Sequence, residues 1–119
     1  IFSDEKDVEA FSHPASAPNF ISSQRVVAEK VYLNRNFDDL LGQKIVMIEN
    51  ADPGFDWIFS ENISGLVTMY GGINSHMAIR AAEYNIPTVV GVGEKTFNEL
   101  LKSRVLLLDC KNKKIISTD

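Results

Sequence analysis

Cysteine is nearly absent: Cys110 stands alone in 119 residues, which excludes an internal disulfide and a cysteine-based zinc site and leaves a small buried thiol as its ordinary role. No stretch approaches the roughly 20 apolar residues that cross a bilayer, and no secretory signal opens the chain, so it reads as cytoplasmic with no membrane contact. Positive charge is also short. Lys and Arg total 12 against 16 Asp and Glu, for a net charge of -4, so no basic face is expected for a nucleic acid. Lys111, Lys113 and Lys114 are the only tight basic cluster and fall where a hairpin turn is expected, as a solvated loop. GVGEK at 91–95 lacks the longer phosphate-loop pattern and reads as a turn from a strand into a helix. No metal site and no bound cofactor are expected of these residues alone. What is present is the composition of one folded domain, 45% hydrophobic and 9% aromatic. It begins at Ile1 rather than methionine, which reads as a piece cut from a longer chain or a processed one.

Residues 1–20 combine an acidic start with a Pro/Ala/Ser stretch and show no period, as a linker or surface arm would; His13 beside Pro14 is read there as a solvated residue. Residues 21–119 are read as the folded domain. SQRVVAEKVYL, KIVMIEN, GLVTM and IPTVVGV read as strands, and VLLLD with KIIS as a closing hairpin. ADPGFDWIFSEN reads as a helix with Asp52 as cap, Pro53 at its first position and Phe55, Ile58, Phe59 at helical spacing; Trp57 is assigned to core packing. SHMAIRAAEYN and KTFNELLKS read as two further helices. The order of elements predicts a mixed α/β domain with a compact sheet packed with helices.

GGINSH, residues 71–76, lies between GLVTM and the helix that follows. Ser75 suits an N-cap, which places His76 at the first helical position, and Asn85 before Ile86-Pro87 supplies a stop. The free amides and positive dipole end of such a helix favour an anion, above all phosphate. Gly71 and Gly72 lack a Cβ and permit close approach, and Thr68 adds a hydroxyl at the end of the preceding strand. Together Thr68, Gly71, Gly72 and Ser75 describe a phosphate-binding cradle around a nucleophile. Imidazole, with an ordinary pKa of about 6.5, offers a lone pair near neutral pH and is a good phosphoryl donor once phosphorylated. A tight turn, a cap and a locally bonded histidine account for the same spacing, so composition alone leaves both readings open.

TMYGGINSHMAIRAAEYNIPTVVGVG resembles the signature of the swivelling phosphohistidine domain shared by phosphoenolpyruvate synthase, pyruvate phosphate dikinase and enzyme I of the sugar phosphotransferase system. The matching residues are Thr68, Gly71, Gly72, Ser75, His76, Ala78, Ile79, Glu83, Ile86, Pro87 and Gly91. The resemblance extends loosely from about Ser22 to Ser117. It implies the swivelling β/β/α fold, with His76 as the catalytic, phosphorylated residue; Asp52, Arg80 and Glu83 are the candidate orienting or auxiliary groups. In many members an arginine precedes the acidic residue of the helix; Ala82 stands there in this chain, and Arg80, one turn after His76, is the candidate substitute.

The resemblance also implies what lies outside the domain. An ATP-grasp module of the same parent chain would phosphorylate His76 from ATP with magnesium, and an acceptor-binding domain would take delivery, with the linker allowing the swing between them. IENADPGFDWIF and SHMAIRAAEYNIP further resemble the phosphoenolpyruvate-synthase-like L-glutamine kinases of capsule phosphoramidate assembly; a pyruvate-type acceptor is the competing expectation. A domain that kept the fold but lost the chemistry and serves as an interaction or regulatory module is the alternative that Ala82 keeps open.

Overall fold

Two short apolar runs of the chain lie side by side as parallel strands. In the computed structural model, which describes residues 19–33, 41–50 and 53–117, these are β3 (Ile45–Asn50) and β4 (Gly65–Tyr70). β2 (Arg25–Tyr32) and β5 (Thr88–Val90) extend them on either side, and all three pairings from β2 to β5 are parallel. β1 (Asn19–Ile21) closes the edge beyond β5, while β6 (Val105–Asp109) and β7 (Lys114–Ser117) continue antiparallel beyond β2. The seven strands run in the order β1-β5-β4-β3-β2-β6-β7.

Parallel strands covered on both faces need apolar residues on both, and β3 supplies them: Ile45, Val46, Met47 and Ile48 are fully buried. Alternation then sorts their side chains between two cores. Val46, Ile48 and Leu66 meet Ile58 and Phe59 of a 3₁₀ helix (Pro53–Glu61) and Met77, Ala78 and Ala81 of α1 (His76–Glu83). Ile45, Met47, Val67 and Met69 meet Phe97 and Leu100 of α2 (Glu94–Leu101), together with Leu106, Leu108 and Ile115 of the antiparallel strands. The sheet curls to allow this. Where a Cβ would stand on Gly65, a Leu108 methyl, the Ile45 side chain and the Pro87 carbonyl all lie 3.2 Å away, so a larger residue there would have to push its neighbours back by a few tenths of an ångström.

The expected strands, the terminal hairpin and the two α-helices are present, and the mixed α/β architecture is the one anticipated. Three details differ. The sheet begins at Asn19, inside the segment read as linker, because Asn19–Ile21 completes the free edge of β5; three residues carry too little period to announce a strand by themselves. The Pro53–Glu61 segment is 3₁₀ rather than α: Gly54 and three bulky aromatics are weak α-helix formers, and the Ser60 hydroxyl donates to the Trp57 carbonyl at 2.7 Å, three residues back. A threefold repeat turns Trp57 and Ser60 outward together, so Trp57 is 47% exposed and is not a core residue.

Other expectations hold. Cys110 is buried, and loss of hydration pushes its thiol up to about 11. Lys111, Lys113 and Lys114 are exposed around the β6–β7 turn, where Asp109 accepts from the Asn112 amide nitrogens. GVGEK is the turn into α2, with Gly93 as its N-cap. Among the described residues no helix is long and apolar enough to cross a membrane.

Gly91 ties the end of β5 to the loop after β4. Its φ is +75°, and a Cβ there would sit 2.6 Å from the Gly71 carbonyl oxygen. Gly72 has nothing within 4 Å of a Cβ and an ordinary φ. Gly91→Ala is therefore expected to lower stability by about 1–3 kcal/mol, and Gly72→Ala by less than about 0.5 kcal/mol, in urea denaturation; equal losses would contradict this assignment.

Candidate functional site

Both segments that build the site leave the carboxyl ends of neighbouring parallel strands, where ligands bind in open α/β sheets. The 3₁₀ helix follows β3 and the GGINSH turn follows β4. Two bonds stabilise the second connection: the Gly72 carbonyl accepts from the Ser75 amide at 2.9 Å, and the Ser75 hydroxyl accepts from the Ala78 amide at 3.3 Å. Ser75 is thus the N-cap of α1 and His76 its first residue, as the spacing predicts. The other end is closed equally well. Asn85 adopts φ 57°, its amide donates to Ala82 and that of Ile86 donates to Ala81, the paired bonds of a left-handed helix stop. Ala78 and Ala81 give α1 its thin buried side, while Ala82 faces outward.

At this helix start the His76 side chain is 42% exposed. Its Nε2 lies 2.9 Å from Asp56 Oδ1, and the same oxygen accepts from Arg80 Nε at 3.0 Å. The hydrogen bond from His76, with Arg80 beside it, holds the Asp56 carboxyl below the ordinary carboxylate range. An ionised carboxylate has only acceptors, so Nε2 carries the hydrogen and the lone pair of the neutral ring falls on Nδ1. Arg80 is raised above its ordinary value, chiefly by the Asp56 hydrogen bond. Its terminal nitrogens donate to Glu83 Oε1 at 3.2 Å and to the Tyr84 hydroxyl at 2.8 Å.

The sequence-predicted residues divide into three groups. His76, Ser75, Gly71 and Gly72 lie together on one turn, and Arg80 and Glu83 join them through Asp56. Thr68 is placed differently. It is fully buried, and its hydroxyl and carbonyl both accept from the Gly91 amide, at 3.2 and 3.1 Å, so it secures the loop's base rather than bonding to the imidazole. Asp52 lies outside the described residues. The carboxylate that meets His76 is Asp56, a residue the sequence reading passed over. A threefold count was the signal available for it, since it sets Asp56 on the ridge of Phe59, which packs against Tyr84 of the α1 cap at 5.4 Å between ring centres. The first-turn amide of His76 has no acceptor within the helix and belongs to the residue that carries the exposed ring, whereas Met77 beside it is fully buried. Among the described residues no group of three or more His, Cys, Asp or Glu side chains could hold a metal ion.

Residues 41–113 match the family model of the PEP-utilising enzyme, mobile domain. The chain belongs to that family, whose mobile phosphohistidine domains have the mixed α/β architecture described above. Among curated proteins it is similar to rifampicin phosphotransferases: 40% identical over 67 residues to that of Bacillus cereus, 41% over 63 residues to that of Bacillus subtilis and 37% over 67 residues to that of Streptomyces sviceus. These matches cover 56%, 53% and 56% of this chain but 8%, 7% and 8% of the relatives, so the chain spans less than a tenth of their length.

The lowered Asp56 carboxyl has a consequence for stability. A group depressed in the fold contributes stability that is complete above its unfolded pKa, about 3.9, and is lost as pH falls through the folded value. The difference in urea midpoint between wild type and Asp56→Asn is therefore expected to be largest near neutrality and to close below about pH 4; a difference independent of pH would show that the charge of Asp56 is immaterial.

Proposed function

We propose that the domain is the phosphoryl carrier of a larger ATP-dependent phosphotransferase, with His76 as the residue that is phosphorylated and then discharged. The observation that carries this reading is the exposed imidazole at the capped start of α1, with its Nε2 held by the Asp56 carboxylate. In the forward step a nitrogen of His76 attacks a phosphorus of ATP, an N–P bond forms, and the P–O bond to the departing nucleotide or phosphate breaks with its electron pair leaving on oxygen. In the second step the acceptor's oxygen or nitrogen displaces the imidazole.

Charge accounting supports partners that complete the site. Among the described residues, the network joined to His76 holds two carboxylates, Asp56 and Glu83, and one guanidinium, Arg80. That set does not neutralise a transferring phosphoryl group, so the stabilising cations belong elsewhere: magnesium and basic side chains of an ATP-grasp module when ATP is the donor, and those of an acceptor-binding module on delivery. The similarity to rifampicin phosphotransferases supports a small-molecule acceptor. An L-glutamine-type acceptor agrees with the wording around Asp56 and Arg80, and a pyruvate-type acceptor is its competitor.

The test uses the full-length parent protein with magnesium and ATP labelled at the β or γ position. Acid-labile, base-stable label is expected on the wild type and absent from His76→Ala. Label retained by that variant would displace His76 as nucleophile, and no label on either protein would favour a non-catalytic interaction module. Product analysis with glutamine and pyruvate then assigns the acceptor.

A further inference from the structure

Oδ1 of Asp56 accepts two hydrogen bonds, from His76 and from Arg80, at nearly equal length. Arg80 is itself held on several sides: by Glu83, by the Tyr84 hydroxyl, and by the Tyr84 ring, whose centre lies 5.0 Å from the guanidinium carbon. Tyr84 packs on Phe59, one 3₁₀ turn after Asp56. The contacts therefore form a closed circuit from the helix that bears the imidazole to the one that bears the carboxylate and back. An arginine anchored to its own helix, with Nε aimed at a carboxylate, is placed to orient that carboxylate rather than to follow a mobile anion.

Resting on the carrier reading of His76, we propose that Asp56 is the positioning residue of the His76 ring and that Arg80 acts through Asp56, not on the phosphoryl group. The carboxylate fixes the ring plane, keeps the hydrogen on Nε2 and makes the imidazole more electron-rich, as outer partners of functional histidines do. Arg80 in turn keeps Asp56 from rotating towards solvent. This assigns Arg80 a different part from that of a direct substitute for the arginine replaced by Ala82.

The test is a double-mutant cycle in the full-length parent, following single-turnover phosphorylation of His76 by magnesium-ATP. Asp56→Asn and Arg80→Ala are each expected to slow the step by about 10- to 100-fold, with the double variant no slower than Asp56→Asn alone, because residues acting in series do not add. Losses that multiply would put Arg80 on the reacting group and overturn the proposal, as would a wild-type rate in Asp56→Asn. A second readout needs no phosphorylation: modification of His76 by diethyl pyrocarbonate at pH 8, resolved by peptide mass spectrometry. Asp56→Asn is expected to slow it several-fold, and Arg80→Lys, which keeps a cation beside Asp56, to slow it less; equal rates in all three proteins would refute the pairing. A wild type that shows this pattern but takes up no phosphoryl group would refute the carrier reading and leave the positioning role standing.

Discussion

The close approach of Gly91 to Gly71 is the constraint on which the site rests. The Thr68 carbonyl takes both the Gly91 and Val92 amides, and its hydroxyl takes the Gly91 amide again, so the ends of β4 and β5 are drawn together beneath the turn. With no Cβ on Gly91, the backbone at Gly71 can pass directly over it. The chain then reverses through Gly72 and Ser75 and enters α1 with His76 first. The 3₁₀ helix arrives from the adjacent strand β3, and the two segments meet where a hydrogen bond from His76 to Asp56 joins them. The fold thus acts on the chemistry through backbone geometry: it decides where the imidazole stands before any ligand is present.

In the proposed role, a carrier must be held firmly enough to react and remain open enough to be reached by two different partners. Here firmness comes from buried Met77, Ala78 and Ala81, which seat α1 against the sheet, and from the Asp56–Arg80 circuit at its surface. Openness comes from the ring's position on the first helical residue, outside the core. Ile73, Ile79, Tyr70 and Trp57 are large apolar side chains close in sequence to the turn, α1 or the 3₁₀ helix, and all are exposed.

Much of this was legible in the sequence because it depends on local signals. Ser75 as cap, Asn85 as the helix stop and β3 as a strand each follow from a residue type at a place that demands it. The rest depended on pairings across the chain. Asp56 is twenty residues from His76, and although it neighbours Phe59 at either helical count, the partner of that ridge is known only once Phe59 is seen against Tyr84. Thr68 carries a hydroxyl suited to a phosphate, yet which partner it takes is set by the neighbouring strand end. β1 owes its existence to the open edge of β5 rather than to a pattern of its own.

The central claim is that His76 holds the phosphoryl group as an intermediate, not as a dead end. The most direct measurement is a chase: label the full-length protein, remove the nucleotide, and follow the label when a candidate acceptor, or the nucleotide product of the first step, is added. The account predicts that label leaves the peptide containing His76 at least as fast as the enzyme turns over and appears on the acceptor or in regenerated ATP. Label that stays on the protein while turnover proceeds would contradict it.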